Sequence, residues 1–133
     1  MKILIAEDNF VQRKLLINQL SSLGEVDMAA NGKEAVIAVE LAVEEHQPYD
    51  LIFLDIMMPE NDGIQALKKI RKFESQLGLD HKTRTKIIMV TAHSDRDKVV
   101  TAGRLNCDSY LIKPVTKPRL FEEIRKLGFD IPE

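Results

Sequence analysis

Five short apolar runs alternating with five stretches of helical apolar spacing predict an α/β fold, with a parallel sheet covered by helices on both faces. Two further observations support it. Strict strand-helix alternation calls for right-handed crossovers. The runs also end in residues that do not continue a buried strand: Glu7-Asp8, Asp55, Thr91 and Lys113.

The first run, residues 2–6, stops at Glu7 and Asp8, and Asn9 is suited to cap the helix that follows. Val11, Leu15, Leu16, Leu20 and Leu23 recur at three and four and predict an amphipathic helix over residues 10–23, stopped by Gly24. Residues 26–30 make a weak strand. Asn31-Gly32 opens a helix along Ala35, Val36, Val39, Ala42 and Val43 that ends before Pro48. Residues 51–54 with Ile56 form the central strand, which delivers Asp55 to its carboxyl end before the pattern breaks at residues 58–63.

Ala66, Leu67, Ile70, Phe73 and Leu77 trace a third helix closed by Gly78, and residues 79–86 read as a polar, basic surface loop. Residues 87–90 are the fourth strand, followed by a shorter helix over 95–102 with Val99 and Val100 on its apolar side. Residues 109–112 form the fifth strand, ending in Lys113-Pro114, and Leu120, Phe121, Ile124 and Leu127 mark the last helix. Five strands fit the flavodoxin-like doubly wound order 2-1-3-4-5 better than a six-stranded sheet.

A chain of 133 residues is expected to form one domain, residues 1–133, and to bury roughly two thirds of its unfolded surface. A net charge of -2 gives no broad attraction for nucleic acid, so direct DNA binding is not expected. The apolar run at the amino terminus is too short for a signal-peptide core or a membrane span, which points to the cytoplasm and to no membrane contact. Met1 so close to the first strand reads as a natural start, and the six residues after the last helix read as leaving no output domain. Cys107, the single cysteine, reads as a packing residue, and His46 and His81 need no role.

In the 2-1-3-4-5 order the first and third strands are neighbours about 4.8 Å apart, so Glu7, Asp8 and Asp55 emerge side by side where the strand order reverses. Unit charges about 5 Å apart at an effective dielectric near 20 repel by roughly 3 kcal/mol. Such a cluster either holds protons or binds a cation. All-oxygen ligands suit Mg²⁺, which is usually held by one or two carboxylates together with a phosphate. Thr91 and Lys113, at the ends of the fourth and fifth strands, add a hydroxyl and a compact cation suited to phosphoryl oxygens. Carboxylates form aspartyl-phosphates as nucleophiles, and Asp55 is the candidate.

With these residues in place, the sequence resembles the receiver domain of two-component response regulators, including the chemotaxis receivers. The resemblance rests on AEDN at 6–9, FLDIMMPENDG at 53–63, VTAH at 90–93 and YLIKP at 110–114, and covers essentially the whole chain. It implies that Asp55 accepts a phosphoryl group from a phosphohistidine on a sensor histidine kinase or a histidine phosphotransfer domain. It implies Mg²⁺ bound directly by Asp8 and Asp55, through water by Glu7, and by the backbone carbonyl of Met57. Thr91 and Lys113 would hold the phosphoryl oxygens, and the Lys113-Pro114 bond is expected to be cis, as only about 5% of X-Pro bonds are.

The resemblance further implies that Thr91 and Tyr110 act as the switch, remodelling a face built from the fourth helix, fifth strand and fifth helix, which meets a downstream protein. The same face is compatible with a homodimer. Moving such a switch from mostly off to mostly on takes about 5.5 kcal/mol, so a partner on that face is expected to supply part of it. Glu7 stands where the family more usually has Asp. Met57 and His93 occupy the positions at which the family varies phosphoryl lifetime. Because Met57 orients water poorly, a lifetime of minutes or longer is expected.

Three functions compete. The favoured one is a phosphorylation-switched binding module that catalyses only its own phosphotransfer and dephosphorylation. The second is a phosphorelay intermediate passing the group to another protein's histidine. The third, an aspartyl-phosphate hydrolase, fits poorly: Met57 stands where such enzymes carry a second Asp as acid and base.

Overall fold

The computed structural model describes residues 1–58, 63–80, 82–92 and 96–132. The expected residues 59–62, His81, His93 and the start of the fourth helix at Asp95 lie outside the described residues. The chain runs β1 (Lys2–Ala6), α1 (Phe10–Leu20), a single 3-10 turn (Ser21–Leu23), β2 (Glu25–Ala29), α2 (Gly32–Glu44), β3 (Leu51–Asp55), α3 (Gly63–Gln76), β4 (Lys86–Thr91), α4 (Arg96–Arg104), β5 (Ser109–Ile112) and α5 (Lys117–Lys126). All strand pairs are parallel and the order is β2-β1-β3-β4-β5, the doubly wound arrangement that five strands were expected to fit. No helix among the described residues is long and apolar enough to cross a membrane.

Side chains along β1, β3 and β4 alternate between two cores, as the period of two requires. Ile3, Ile5, Leu51, Phe53, Ile88 and Val90 pack with Leu16, Leu20, Leu120, Phe121 and Ile124, which places α1 and α5 on one face of the sheet. Leu4, Ile52, Leu54, Ile87 and Met89 pack with residues of α2, α3 and α4 on the other. Because β3 is covered on both faces, all five of its residues are buried, Asp55 included.

Asn9 caps α1 by accepting the Gln12 N–H at 2.9 Å. Asn31 caps α2 by accepting the Glu34 N–H at 2.8 Å, while Glu34 Oε1 accepts the Ala30 N–H, a reciprocal cap. Gly63 opens α3 so close to β3 that a Cβ there would collide with the Asp55 carbonyl oxygen. Its N–H donates to the Ile56 carbonyl at 2.9 Å, binding the start of α3 to the segment that carries Asp55.

Three expectations need correction. Helix α1 ends at Leu20 and a 3-10 turn takes the chain to Leu23. Its stripe is also narrower than the spacing suggested: Val11 and Leu15 are exposed, and only Leu16 and Leu20 are fully covered, with Ile17 and Leu23 beside them. The covered face of α1 runs through Leu16, Ile17 and Leu20, and Val11 and Leu15 lie at or beyond its edge.

On α3, Leu77 is exposed whereas Arg71 and Glu74 are buried. Arg71 donates from Nη1 to Glu74 Oε1 and the Thr85 carbonyl, from Nη2 to Asp108 Oδ2, each at 2.7 Å, and from Nε to the Asn106 carbonyl at 2.9 Å. The third correction follows from this network. Residues 79–86 are not a wholly solvated loop: Thr85 is buried, donating its N–H to Glu74 Oε2 and its hydroxyl to the Tyr49 carbonyl, and Arg84 pairs with Asp108. Cys107 packs partly buried against the core under α4, as a small apolar residue does.

The network predicts a clear mutational cost. Arg71→Met leaves Glu74 and Asp108 without their shared cation, and breaking a buried pair from one side costs about 3–5 kcal/mol. Urea unfolding is expected to show a loss of that order with an unchanged slope.

Candidate functional site

The carboxyl edge of the sheet is where strand ends and helix starts leave backbone and side chains free to meet a ligand. β1 and β3 are paired with Ala6 opposite Leu54, so the residues following them, Glu7 and Asp8 on one side and Asp55 on the other, come together. One carboxylate oxygen from each of Glu7, Asp8 and Asp55 lies within 4.8 Å of the others. Glu7 and Asp55 are buried and Asp8 is exposed, so the cluster opens to solvent at Asp8.

Lys113, arriving at the end of β5, reaches across the edge. Its Nζ donates to Asp55 Oδ2 at 3.0 Å and to Glu7 Oε2 at 3.2 Å. The other oxygen of Asp55, Oδ1, accepts the Met57 backbone N–H at 3.1 Å. Both oxygens of Asp55 are therefore oriented. The Lys113-Pro114 peptide is cis.

The electrostatics follow from crowding. Burial, and after it the hydrogen bond and charge of Asp55, push the Glu7 carboxyl up to about 8, with Lys113 pulling the other way. Burial opposes the Lys113 ammonium, but Asp55 and then Glu7 more than offset this, so its pKa lies above the ordinary lysine value. At neutral pH Glu7 thus holds a proton against Asp55.

Thr91 ends β4, buried, one residue beyond Val90, which pairs with Asp55; its hydroxyl donates to the Ala92 carbonyl at 3.1 Å. Met57 is half-exposed at the rim. Tyr110 stands apart, exposed on β5 with Ile112, two strand positions along on the same side. His93 lies outside the described residues.

Two contacts have no signature in the sequence. Arg13 on α1 donates from Nη1 to the Glu7 carbonyl at 2.7 Å, holding the backbone of the acidic turn. Lys98 on α4 donates to the Met57 sulfur at 2.7 Å. Both residues sit in helical stretches where a basic side chain ordinarily means only a solvated face.

The donor set fits a hard divalent cation. It is all oxygen, with three carboxylates converging and no imidazole or thiol among the described residues of the cluster.

Sequence and structure comparisons agree on what this arrangement belongs to. The family model for the response regulator receiver domain matches residues 3–125, and the chain belongs to that family. It is 38% identical over 137 residues to probable histidine kinase 2 of Oryza sativa subsp. indica, covering 93% of this chain and 12% of that protein. The chain thus spans about an eighth of that relative's length. Among solved structures, the receiver domain of the histidine kinase CKI1 from Arabidopsis thaliana, in complex with Mg²⁺ and BeF3⁻, is 32% identical. It superposes with a TM-score of 0.81 over 95% of this chain and 88% of that one. The receiver domain of Ssk1 from Saccharomyces cerevisiae, crystallised with the histidine phosphotransfer protein Ypd1, is 31% identical with a TM-score of 0.81, covering 96% and 88%.

The Glu7 proton gives a test. The folded state keeps this proton up to about pH 8, whereas an unfolded glutamate loses it near 4.5. The folded chain therefore binds more protons in that window, and stability contributed below it is lost as pH rises towards 8. Unfolding free energies in chelator are expected to fall from pH 5 to pH 8.5, and Glu7→Gln should flatten the slope.

Proposed function

We propose that the chain acts as a single receiver domain, residues 1–133, in which Asp55 accepts a phosphoryl group from a phosphohistidine of a partner protein. The observation that carries this reading is the Lys113 ammonium shared between buried Asp55 and Glu7, beside exposed Asp8. A carboxylate oriented by a backbone N–H and a lysine is poised as a nucleophile. Its electron pair forms the new O–P bond. The electrons of the broken N–P bond stay on the imidazole, which leaves neutral when its other nitrogen carries a proton.

Transfer spreads negative charge over the phosphoryl oxygens. Lys113 supplies a fixed positive charge beside them, and the Thr91 hydroxyl is in register to donate once it leaves the Ala92 carbonyl. Asp8 and Asp55, with Glu7 through water and the Met57 carbonyl, would hold Mg²⁺. When bound, that ion neutralises charge on the transferred group.

The output is a change in protein binding. Val100, Tyr110 and Ile112 leave apolar surface exposed on α4 and β5, a surface suited to a protein partner or to a second copy of this chain. The chain has no catalytic part beyond its own phosphotransfer and dephosphorylation in this reading. The named partner of the yeast relative, a histidine phosphotransfer protein, supports a phosphohistidine donor and also suits the relay reading. Transfer back from Asp55 to a histidine distinguishes relay from switch.

Intact-protein mass after incubation with a small acyl-phosphate donor tests the acceptor. One phosphoryl addition is expected with Mg²⁺ and none with chelator or in Asp55→Asn. Lys113→Met is expected to slow addition by about 10²-fold, the order of losing one donor to a developing oxyanion. Addition to Asp55→Asn at the parental rate would overturn the assignment.

A further inference from the structure

At the end of the sheet opposite Asp55, the last turns of α2 and α3, the segment leading into β4 and Phe129 beyond α5 line a cavity of about 560 Å³. Pockets that hold small molecules run roughly 300–1,000 Å³ and are mostly apolar, with a few polar groups that fix orientation. Val39, Val43, Leu77, Leu79 and Phe129 supply the apolar lining here. Leu77 is exposed, so this lining includes apolar surface that a ligand would remove from water.

Three cations, Lys82, Arg84 and Lys86, share the lining with two carboxylates, Asp50 and Glu74. Both carboxylates are already engaged. Asp50 Oδ2 accepts the Lys2 N–H at 2.8 Å, and the two oxygens of Glu74 accept from Arg71 Nη1 and the Thr85 N–H. Lys82 and Lys86 form no ion pair among the described residues. The cavity therefore carries an excess of positive charge that the protein does not itself balance.

Arg84 is the least satisfied of the three. Its side chain is only 14% exposed, yet its contact with a carboxylate, Nη2 to Asp108 Oδ1, is 3.5 Å long. Asp108 Oδ2 is taken up by Arg71 Nη2 and the Ile87 N–H, at 2.7 and 2.8 Å. Arg84 Nε is buried with no hydrogen-bond partner among the described residues. A guanidinium presents its donors in a planar fork that matches carboxylate and phosphate oxygens. Donors left unpaired away from water are costly, so an anionic oxygen that reaches this fork gains an interaction the fold leaves unmade.

We propose that this cavity is a second binding site, for a small organic anion: an apolar body carrying one carboxylate or phosphate head. The body lies on Val39, Val43, Leu77 and Phe129, and the head meets Arg84 with Lys82 and Lys86 beside it. Neither half of the lining is sufficient by itself. A neutral apolar molecule leaves the cations unpaired, and a bare anion leaves the apolar wall wet. The site lies at the far end of the sheet from Asp55, so its occupancy is read without phosphorylation.

The experiment follows amide chemical shifts of the unphosphorylated chain in chelator during addition of naphthoate, naphthylphosphonate, neutral naphthalenemethanol or inorganic phosphate. The phosphonate reports on a phosphate-like head without being a phosphoryl donor to Asp55. Both aromatic anions are expected to shift the amides of Val43, Leu77, Lys82, Arg84 and Phe129. They should bind about tenfold more tightly than the alcohol or inorganic phosphate, the order of one charge-assisted hydrogen bond. A stronger response to one of the two anions identifies the head that the site prefers. Arg84→Met should weaken the anions roughly tenfold and leave the alcohol unchanged. Because Arg84 is mostly buried and its loss can destabilise the chain, Leu77→Glu and Lys82→Glu, at exposed positions, carry the same test: each should weaken the anions with an unchanged urea midpoint. Absence of shifts, shifts centred on Glu7 and Asp55, equal affinity for the alcohol or for inorganic phosphate, or parental affinity in the variants overturns the site.

Discussion

Two carboxyl groups buried at the edge of the sheet, with one ammonium between them, are the interaction on which the rest of this site depends. Neither Glu7 nor Asp55 has the hydration that an exposed carboxylate relies on. The cost is relieved in two ways: Lys113 bonds both groups, and Glu7 takes up a proton. A trio balanced in this manner is responsive. In the proposed reading, a divalent cation arriving from the open side at Asp8 would compete for the oxygens that Lys113 now occupies, and a phosphoryl group on Asp55 would change what the ammonium faces.

The fold supports this balance by burying the strand that carries Asp55 on both faces. Both faces of β3 are covered, so the strand that carries Asp55 has no freedom to slide without turning a whole apolar set toward the wrong core. Gly63 brings the start of α3 against the Asp55 backbone, and Arg13 holds the Glu7 carbonyl from α1. The site is thus fixed from three directions while its rim, at Asp8 and Met57, stays open to solvent.

A second polar centre lies at the start of β4 and β5, the opposite end of the sheet from the acidic cluster. Arg71 gathers Glu74, Asp108 and two carbonyls into one buried network that joins α3 to the segments leading into both strands. Its effect is to anchor the turn between α4 and β5 at Asn106 and Asp108.

The sequence by itself determined the elements and the edge on which the chemistry gathers. Periods of two and 3.6 are local properties of the chain, and a carboxylate, a threonine or a lysine at the end of an apolar run is visible without knowing its neighbours. The number of strands favoured the order 2-1-3-4-5 over the other doubly wound order, and that order brings Glu7, Asp8, Asp55, Thr91 and Lys113 to one edge. Only the tertiary structure decided what each charge faces. Leu77 falls on the apolar stripe read for α3 yet is exposed, whereas Arg71 and Glu74, outside that stripe, are buried, because periodicity assigns a face but not whether another segment covers it. Val11 and Leu15 match the apolar stripe of α1 yet lie outside the face that the sheet covers. The proton on Glu7 and the reach of Arg13 and Lys98 depend on distances of a few ångströms between residues far apart in the chain. No spacing of letters encodes those distances, because they are set by how the packed helices turn their side chains.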